Sequence, residues 1–223
     1  MCGVQNTAML YDKDIREPLF EYLEEIYGKI RILEEKKTGK ARADVVMVTP
    51  DALYGIEIKS DADTYTRLER QVREYDRFYD YNYVVVGTRH ALHIREHVPD
   101  WWGVITVELV EGATDFYMMR RQSHNPGMDW SEKISILWRP ELVHIQELNG
   151  MPRYREKSKR FVAEKIIQNV PEELLRCQVS EELFQRDYHK ISEIITKYRR
   201  ENGSYASKPF KKTKRRRISK KPR

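Results

Sequence analysis

Apolar residues recur along this chain with two different spacings, and the changes from one to the other mark its elements. Ile15, Leu19, Tyr22, Leu23 and Ile26 repeat at helical spacing, with Asp12 or Asp14 as cap and Gly28 as stop, which predicts a helix over 12–27. The period then shortens. Arg31-Ile32-Leu33-Glu34 reads as an outer strand near 29–35, and Val45-Val46-Met47-Val48 as a buried one within 44–49. Thr49-Pro50-Asp51-Ala52 reads as a turn, and Leu53 to Ser60 as a strand returning beside the second. Tyr65, Leu68, Val72, Tyr75 and Tyr79 fall on one stripe of a second helix over about 64–80, capped by Asp63 or Thr64, before the strand Tyr83-Val84-Val85-Val86. Thr88 to Val98 is expected as a further helix, Trp101-Trp102-Gly103 as a turn, and 104–109 with 116–119 as paired strands around Glu111-Gly112. From Ile134 onward the spacing is helical. One helix ends at Asn149-Gly150, one carries Phe161, Val162, Ile166 and Ile167, and one runs from Pro171 towards Ile195.

The hairpin of the second and third strands brings Asp44, at the start of one, near Glu57 and Lys59 towards the end of the other. Alternate side chains of a strand share a face, so Glu57 and Lys59 point together while Ile56 and Ile58 pack on the opposite side. Two carboxylates and an ammonium converge. Hydrolysis of a phosphodiester at neutral pH calls for a divalent cation, and magnesium prefers carboxylate and carbonyl oxygens. Asp44, Glu57 and the backbone carbonyl of Ile58 supply such oxygens, and Lys59 is placed to orient or deprotonate water and to stabilise developing charge. A surface hairpin with a same-face Glu-x-Lys ion pair is the structural alternative. The stretch from Lys36 to Arg42, with Lys36, Lys37, Lys40, Arg42 and Gly39, is expected as a mobile loop in which Lys40 and Arg42 contact phosphate, or else as an ordinary solvated loop. His90, His93 and His97 share one side of the helix expected over 88–98, a spacing that suits either a metal site or a polar helix face.

Asp44 followed by Glu57-Ile58-Lys59 resembles the PD-(D/E)XK nuclease signature, with Ala43 where the eponymous proline would stand. Gln71-Val72-Arg73-Glu74-Tyr75 resembles the Q-x-x-x-Y motif of the RecB-like branch. Glu17, on the first helix, resembles the helix-borne acid of archaeal Holliday-junction resolvases, and MmcB-like DNA-repair relatives of bacteria and phages are similar. Glu17 is equally a first-turn acid that complements the helix dipole. The resemblance spans about residues 12–88. It implies a restriction-endonuclease-like α/β core with a central mixed sheet, ordered helix, three strands, helix, strand. It further implies magnesium or manganese held by Asp44, Glu57 and the Ile58 carbonyl, Lys59 at the attacking water, Gln71 and, less directly, Glu17 assisting, and Tyr75 at the nucleic acid.

Composition changes this picture mainly at the C-terminus. Hydrophobic residues make up 40% and charged residues 34% of the 223, which suits a soluble, surface-rich protein. No apolar run approaches a membrane span and the start of the chain lacks signal-peptide order, so a cytoplasmic location is expected, nucleoid-associated in a bacterium or phage and nuclear in a eukaryote. Cys2 and Cys177 are too few and too far apart for a disulfide framework or a cysteine zinc site. Ten of the 41 Lys and Arg residues lie in 204–223, which holds no acid, so residues 1–203 carry 31 basic against 35 acidic side chains. The expected organisation is a disordered 1–11, a nuclease core with sheet extension over 12–125, a helical region over 126–203 and a disordered basic tail over 204–223. Within the helical region, a helix, an extended turn and a Lys-rich second helix start faintly resemble a SAP-like module, which places Lys157 and Lys159 at nucleic acid. Lys211, Lys212, Lys214, Arg215, Arg216 and Arg217 of the tail are expected there too. Nucleic acid, DNA in the first instance, is therefore the expected partner. A catalytically silent binding or interaction protein on the same fold, or an RNA nuclease, are the rival readings.

Overall fold

A computed structural model describes residues 9–39 and 41–186, with backbone alone at 35–38 and 41. Helix α1 (Asp12–Tyr27) opens the fold. Its entry is closed by Asp14, whose carboxylate accepts the Tyr11 N–H at 3.1 Å, so of the two candidate caps Asp14 does the work from inside the first turn. Three strands follow, β1 (Arg31–Thr38), β2 (Ala41–Val48) and β3 (Leu53–Lys59). A 3-10 turn at Tyr65–Arg67 then leads into α2 (Leu68–Phe78), and β4 (Tyr81–Gly87) comes next. After one turn of helix, α3 (Thr88–Ala91), come β5 (Gly103–Val110) and β6 (Ala113–Arg120). Four helices close the described chain: α4 (Trp130–Ser135), α5 (Arg139–Leu148), α6 (Lys159–Asn169) and α7 (Glu172–Phe184).

The strands lie side by side in chain order in a single six-stranded sheet. The β1–β2, β2–β3 and β5–β6 pairs are antiparallel, joined by short turns, and β3–β4 and β4–β5 are parallel, the first crossing over through α2. The fold is thus α/β with a mixed sheet flanked by helices. Strand alternation divides the core. On one face Ile15, Leu19 and Leu23 of α1 pack on Val45, Met47, Ile56, Ile58, Val85 and Ile105. On the other, α2 and the later helices pack on Val46, Val48, Leu53, Val84, Val86 and Val104. Gly55 lets α2 approach. A Cβ there would stand 2.3 Å from the Tyr79 ring and 2.6 Å from that of Tyr75, so any larger residue would push the helix off the strand.

Two expectations change. The segment from Lys36 to Arg42 is not a loop: β1 and β2 pair to the tip of a hairpin, Lys37 opposite Arg42 and Thr38 opposite Ala41, because ladder bonds are made by the backbone whatever the side chains, and Gly39 turns the chain at φ 55°. The helix expected over 88–98 is broken. The His90 carbonyl is taken by His93 N–H and by the Tyr65 hydroxyl, so the i→i+4 ladder does not continue, and Ile94–Glu96 forms a separate 3-10 turn. The helices after residue 125 pack on the core of the sheet. Ile134, Leu142, Ile145, Val162, Ile166, Leu175 and Val179 share one apolar cluster with the sheet and α2, and residues up to Gln185 form one compact unit. The turn between α5 and α6 is therefore part of this packing. Among the described residues no helix is long and apolar enough to cross a membrane, and Cys177 is a free, exposed thiol.

Candidate active site

The site forms where two antiparallel strands part. The β2–β3 register runs from Val48↔Leu53 to Val45↔Ile56 and stops there, although both strands continue. Asp44 stands just beyond the last pair and turns its carboxylate across the gap, where Oδ2 accepts the Ile58 N–H at 3.0 Å. A strand residue directs its N–H and C=O to the same edge, so the Ile58 carbonyl also faces this gap. Glu57 and Lys59 project from β3 on the α2 side, as the alternation predicts. Both are buried, at 1% and 5% exposure, which removes the reading of a solvated surface pair.

Helix α2 completes the site. Lys59 Nζ lies 2.6 Å from Glu57 Oε1 and 3.1 Å from Gln71 Oε1, and Gln71 Nε2 donates to the same Glu57 oxygen at 2.5 Å. Gln71 therefore holds acid and ammonium at once, with its amide acting as acceptor to one and donor to the other. One turn on, the Tyr75 hydroxyl donates to Glu57 Oε2 at 2.8 Å and accepts the Asp44 N–H at 3.1 Å. Tyr75 is fully buried, so it cannot offer its ring to a base or its hydroxyl to a phosphate; the expectation that it binds nucleic acid gives way to a role inside the site. Burial and the neighbouring Glu57 charge push the Asp44 carboxyl up to about 7, against the opposing pull of the Ile58 N–H, Lys59 and Arg16. Burial, with Glu57 and Asp44 beside it, also holds the Tyr75 hydroxyl well above the usual tyrosine range, so it stays a donor at neutral pH.

The remaining candidates lie elsewhere. Glu17 is exposed on α1, and the residue of that helix that reaches the site is its neighbour Arg16, which donates to the Asp44 carbonyl at 3.2 Å. Arg16 also pairs with Asp12, one turn earlier, at 2.6 Å, a local spacing that does not by itself point to the site. Arg42 is exposed, near the hairpin tip. Lys157 and Lys159 are both exposed, Lys157 over the Phe161 ring and Lys159 donating to the Ser135 carbonyl. Lys40 and the tail residues Lys211, Lys212, Lys214, Arg215, Arg216 and Arg217 lie outside the described residues. His90 and His97 both pack on the Tyr65 ring, His93 pairs with Glu96, and among the described residues no three His, Cys, Asp or Glu side chains gather into a metal-holding group. What the gap offers a cation is two carboxylates and one carbonyl, all hard oxygens. Hard oxygens of this kind suit a hard divalent ion, so the donor set fits magnesium or manganese.

A family model described as Bacteriophage P4 protein cII matches residues 7–208, and the chain belongs to that family. No curated protein and no solved structure matches it.

Proposed function

We propose that this member of the phage P4 cII family is a metal-dependent nuclease of the PD-(D/E)XK type, acting on nucleic acid, DNA in the first instance. The observation that carries the reading is the convergence, at the parting of β2 and β3, of Asp44, Glu57 and Lys59 with Gln71 bonded to the last two. The order α1–β1–β2–β3–α2–β4 around them is the one that the resemblance implies for a restriction-endonuclease-like core.

In this reading Asp44, Glu57 and the Ile58 carbonyl would hold magnesium or manganese, which would supply neutralisation of phosphate charge and a lowered pKa for water. Lys59 orients the attacking water and offers its charge to the oxygen that becomes negative in the transition state. Gln71 keeps the ammonium from turning away, through its 3.1 Å bond to Nζ. Tyr75 donates to the second Glu57 oxygen at 2.8 Å and so fixes the direction of that carboxylate.

The test is incubation with magnesium or manganese and a panel of single-stranded, duplex, flap and junction DNA, alongside the matching RNA, with Lys59→Ala as control. Cleavage by the wild type, lost by at least about a hundredfold in the variant while substrate binding persists, is the expected result. Binding without cleavage by the wild type would favour a silent binding protein on the same fold, and cleavage confined to RNA would move the substrate class.

A further inference from the structure

Asp44 stands on β2 just beyond the last β2–β3 pair, and both helical layers reach its backbone. The β2–β3 register ends at Val45↔Ile56, so β3 does not pair with Asp44, while β1 pairs with β2 on either side of it, at Glu34↔Val45 and Lys36↔Ala43. Buried backbone groups need partners. Here the two helical layers supply them. From α2 the Tyr75 hydroxyl accepts the Asp44 N–H at 3.1 Å while donating to Glu57 Oε2 at 2.8 Å. From α1, whose apolar stripe packs on the opposite face of the sheet, Arg16 Nη1 donates to the Asp44 carbonyl at 3.2 Å. The guanidinium is itself held, by Asp12 at 2.6 Å through Nε and by Glu34 of β1 at 3.3 Å through Nη1.

We propose that Arg16 and Tyr75 are positioning residues that clamp the Asp44 peptide from opposite faces of the sheet and so set where its carboxylate stands relative to Glu57. The proposal rests on the nuclease reading for its consequence, but the clamp is a property of the protein alone. β1 holds this stretch of β2 along one edge only, so without these two bonds the Asp44 backbone could turn on its β3 side, and the two carboxylates would lose their fixed separation. With both polar groups of the peptide tied, the carboxylate keeps one direction, and the Ile58 N–H takes the oxygen that faces β3. Tyr75 does more than Arg16, because one hydroxyl touches both acids' supports. Arg16 in turn makes α1 part of the site although no acid of that helix reaches it.

The experiment uses the full chain as wild type, Tyr75→Phe, Arg16→Met and Arg16→Lys. Tyr75→Phe keeps the ring, and Arg16→Met keeps the apolar stem. Manganese affinity by calorimetry should fall about tenfold or more in Tyr75→Phe and Arg16→Met, as losses around metal ligands usually do. Arg16→Lys should not restore it, since one ammonium cannot serve Asp12, Glu34 and the Asp44 carbonyl in their three directions. In the metal-free proteins, amide hydrogen exchange at Asp44 should quicken by about tenfold in both variants, directly in Tyr75→Phe and through the freed carbonyl in Arg16→Met. Unchanged metal affinity together with unchanged exchange would overturn the clamp. So would an Arg16→Met protein that binds metal normally but needs more substrate and shows a flatter salt dependence, because Arg16 would then be a phosphate contact. If the wild type binds no metal and cuts nothing, the nuclease reading falls, and quickened exchange in the variants still establishes the clamp.

Discussion

Lys59 carries two opposite demands, and burial decides how they balance. As a side chain on the polar face of an exposed strand its loss would leave stability almost untouched. In the fold it is 5% exposed and provides the counter-charge to a Glu57 that is 1% exposed. Lys59→Ala should therefore cost about 3–5 kcal/mol of stability in the absence of divalent ions, as broken buried pairs do, besides abolishing cleavage. Chemical denaturation in chelator checks this, and a loss under about 1 kcal/mol would mean that Glu57 reaches water. Asp44 gives a pH signature of the opposite kind. Its carboxyl is raised to about 7 in the folded chain, whereas in the unfolded chain it titrates near its ordinary value. Between those values the folded state holds a proton that the unfolded state has released, so the contribution of this group to stability is full below about pH 4 and is lost as pH rises to about 7. Asp44→Asn keeps an oxygen for the Ile58 N–H and removes the carboxylate. It should be more stable than the wild type by about 2–4 kcal/mol at pH 8 in chelator, with the difference closing towards pH 4. Parallel pH profiles for the two proteins would show that Asp44 is not strained by burial and by Glu57.

At the scale of elements, the later helices are joined to the sheet by a charged contact as well as an apolar one. Asp80, between α2 and β4, and Lys133 of α4 are both fully buried, with Nζ 2.7 Å from each carboxylate oxygen. Asp80 also accepts the Leu53 N–H at 2.8 Å, and Arg176 of α7 comes within 3.8 Å. One carboxylate therefore ties β3, α4 and α7 at the end of α2, the helix that carries Gln71 and Tyr75. Burial lowers the Lys133 pKa while Asp80 opposes the shift, so the ammonium depends on its partner. Lys133→Met alone should cost about 3–5 kcal/mol by leaving Asp80 buried and unpaired, and adding Asp80→Asn should recover a large part of that loss. Additive losses in the double variant would show that the pair is not coupled. Because α2 joins this contact to the candidate site, the single variant should, on the proposed function, also weaken metal binding.

At the scale of the whole molecule, charge separates sharply along the chain. The ten basic residues in 204–223 lie far in sequence from Asp44, Glu57 and Lys59, so they should govern how long the protein stays on nucleic acid rather than how fast it cuts. If about half of them meet phosphates, log affinity should fall with log salt at a slope steeper by roughly four in the full chain than in a chain ending at Gly203. The rate at saturating substrate should stay similar in the two. Equal slopes would assign the tail to localisation or to a protein partner. The organisation of the fold was legible at this scale because periodicity reports which faces are buried: the first two helices, the first four strands and the alternation that places Glu57 and Lys59 on one face follow from spacing alone. The two acids and the lysine were legible for the same reason, since a tight turn between two short strands leaves little freedom in where their ends meet. Spacing could not show that the β2–β3 ladder ends at Val45↔Ile56, that Tyr75 spends its hydroxyl inside the site, or that Arg16 rather than Glu17 reaches Asp44. Nor could it pair Asp80 with Lys133, 53 residues apart in sequence. Those outcomes depend on which polar groups lack a backbone partner once the layers have packed. Local sequence determines periodicity, turns and faces, whereas the partners of orphaned buried groups are chosen only when distant elements meet.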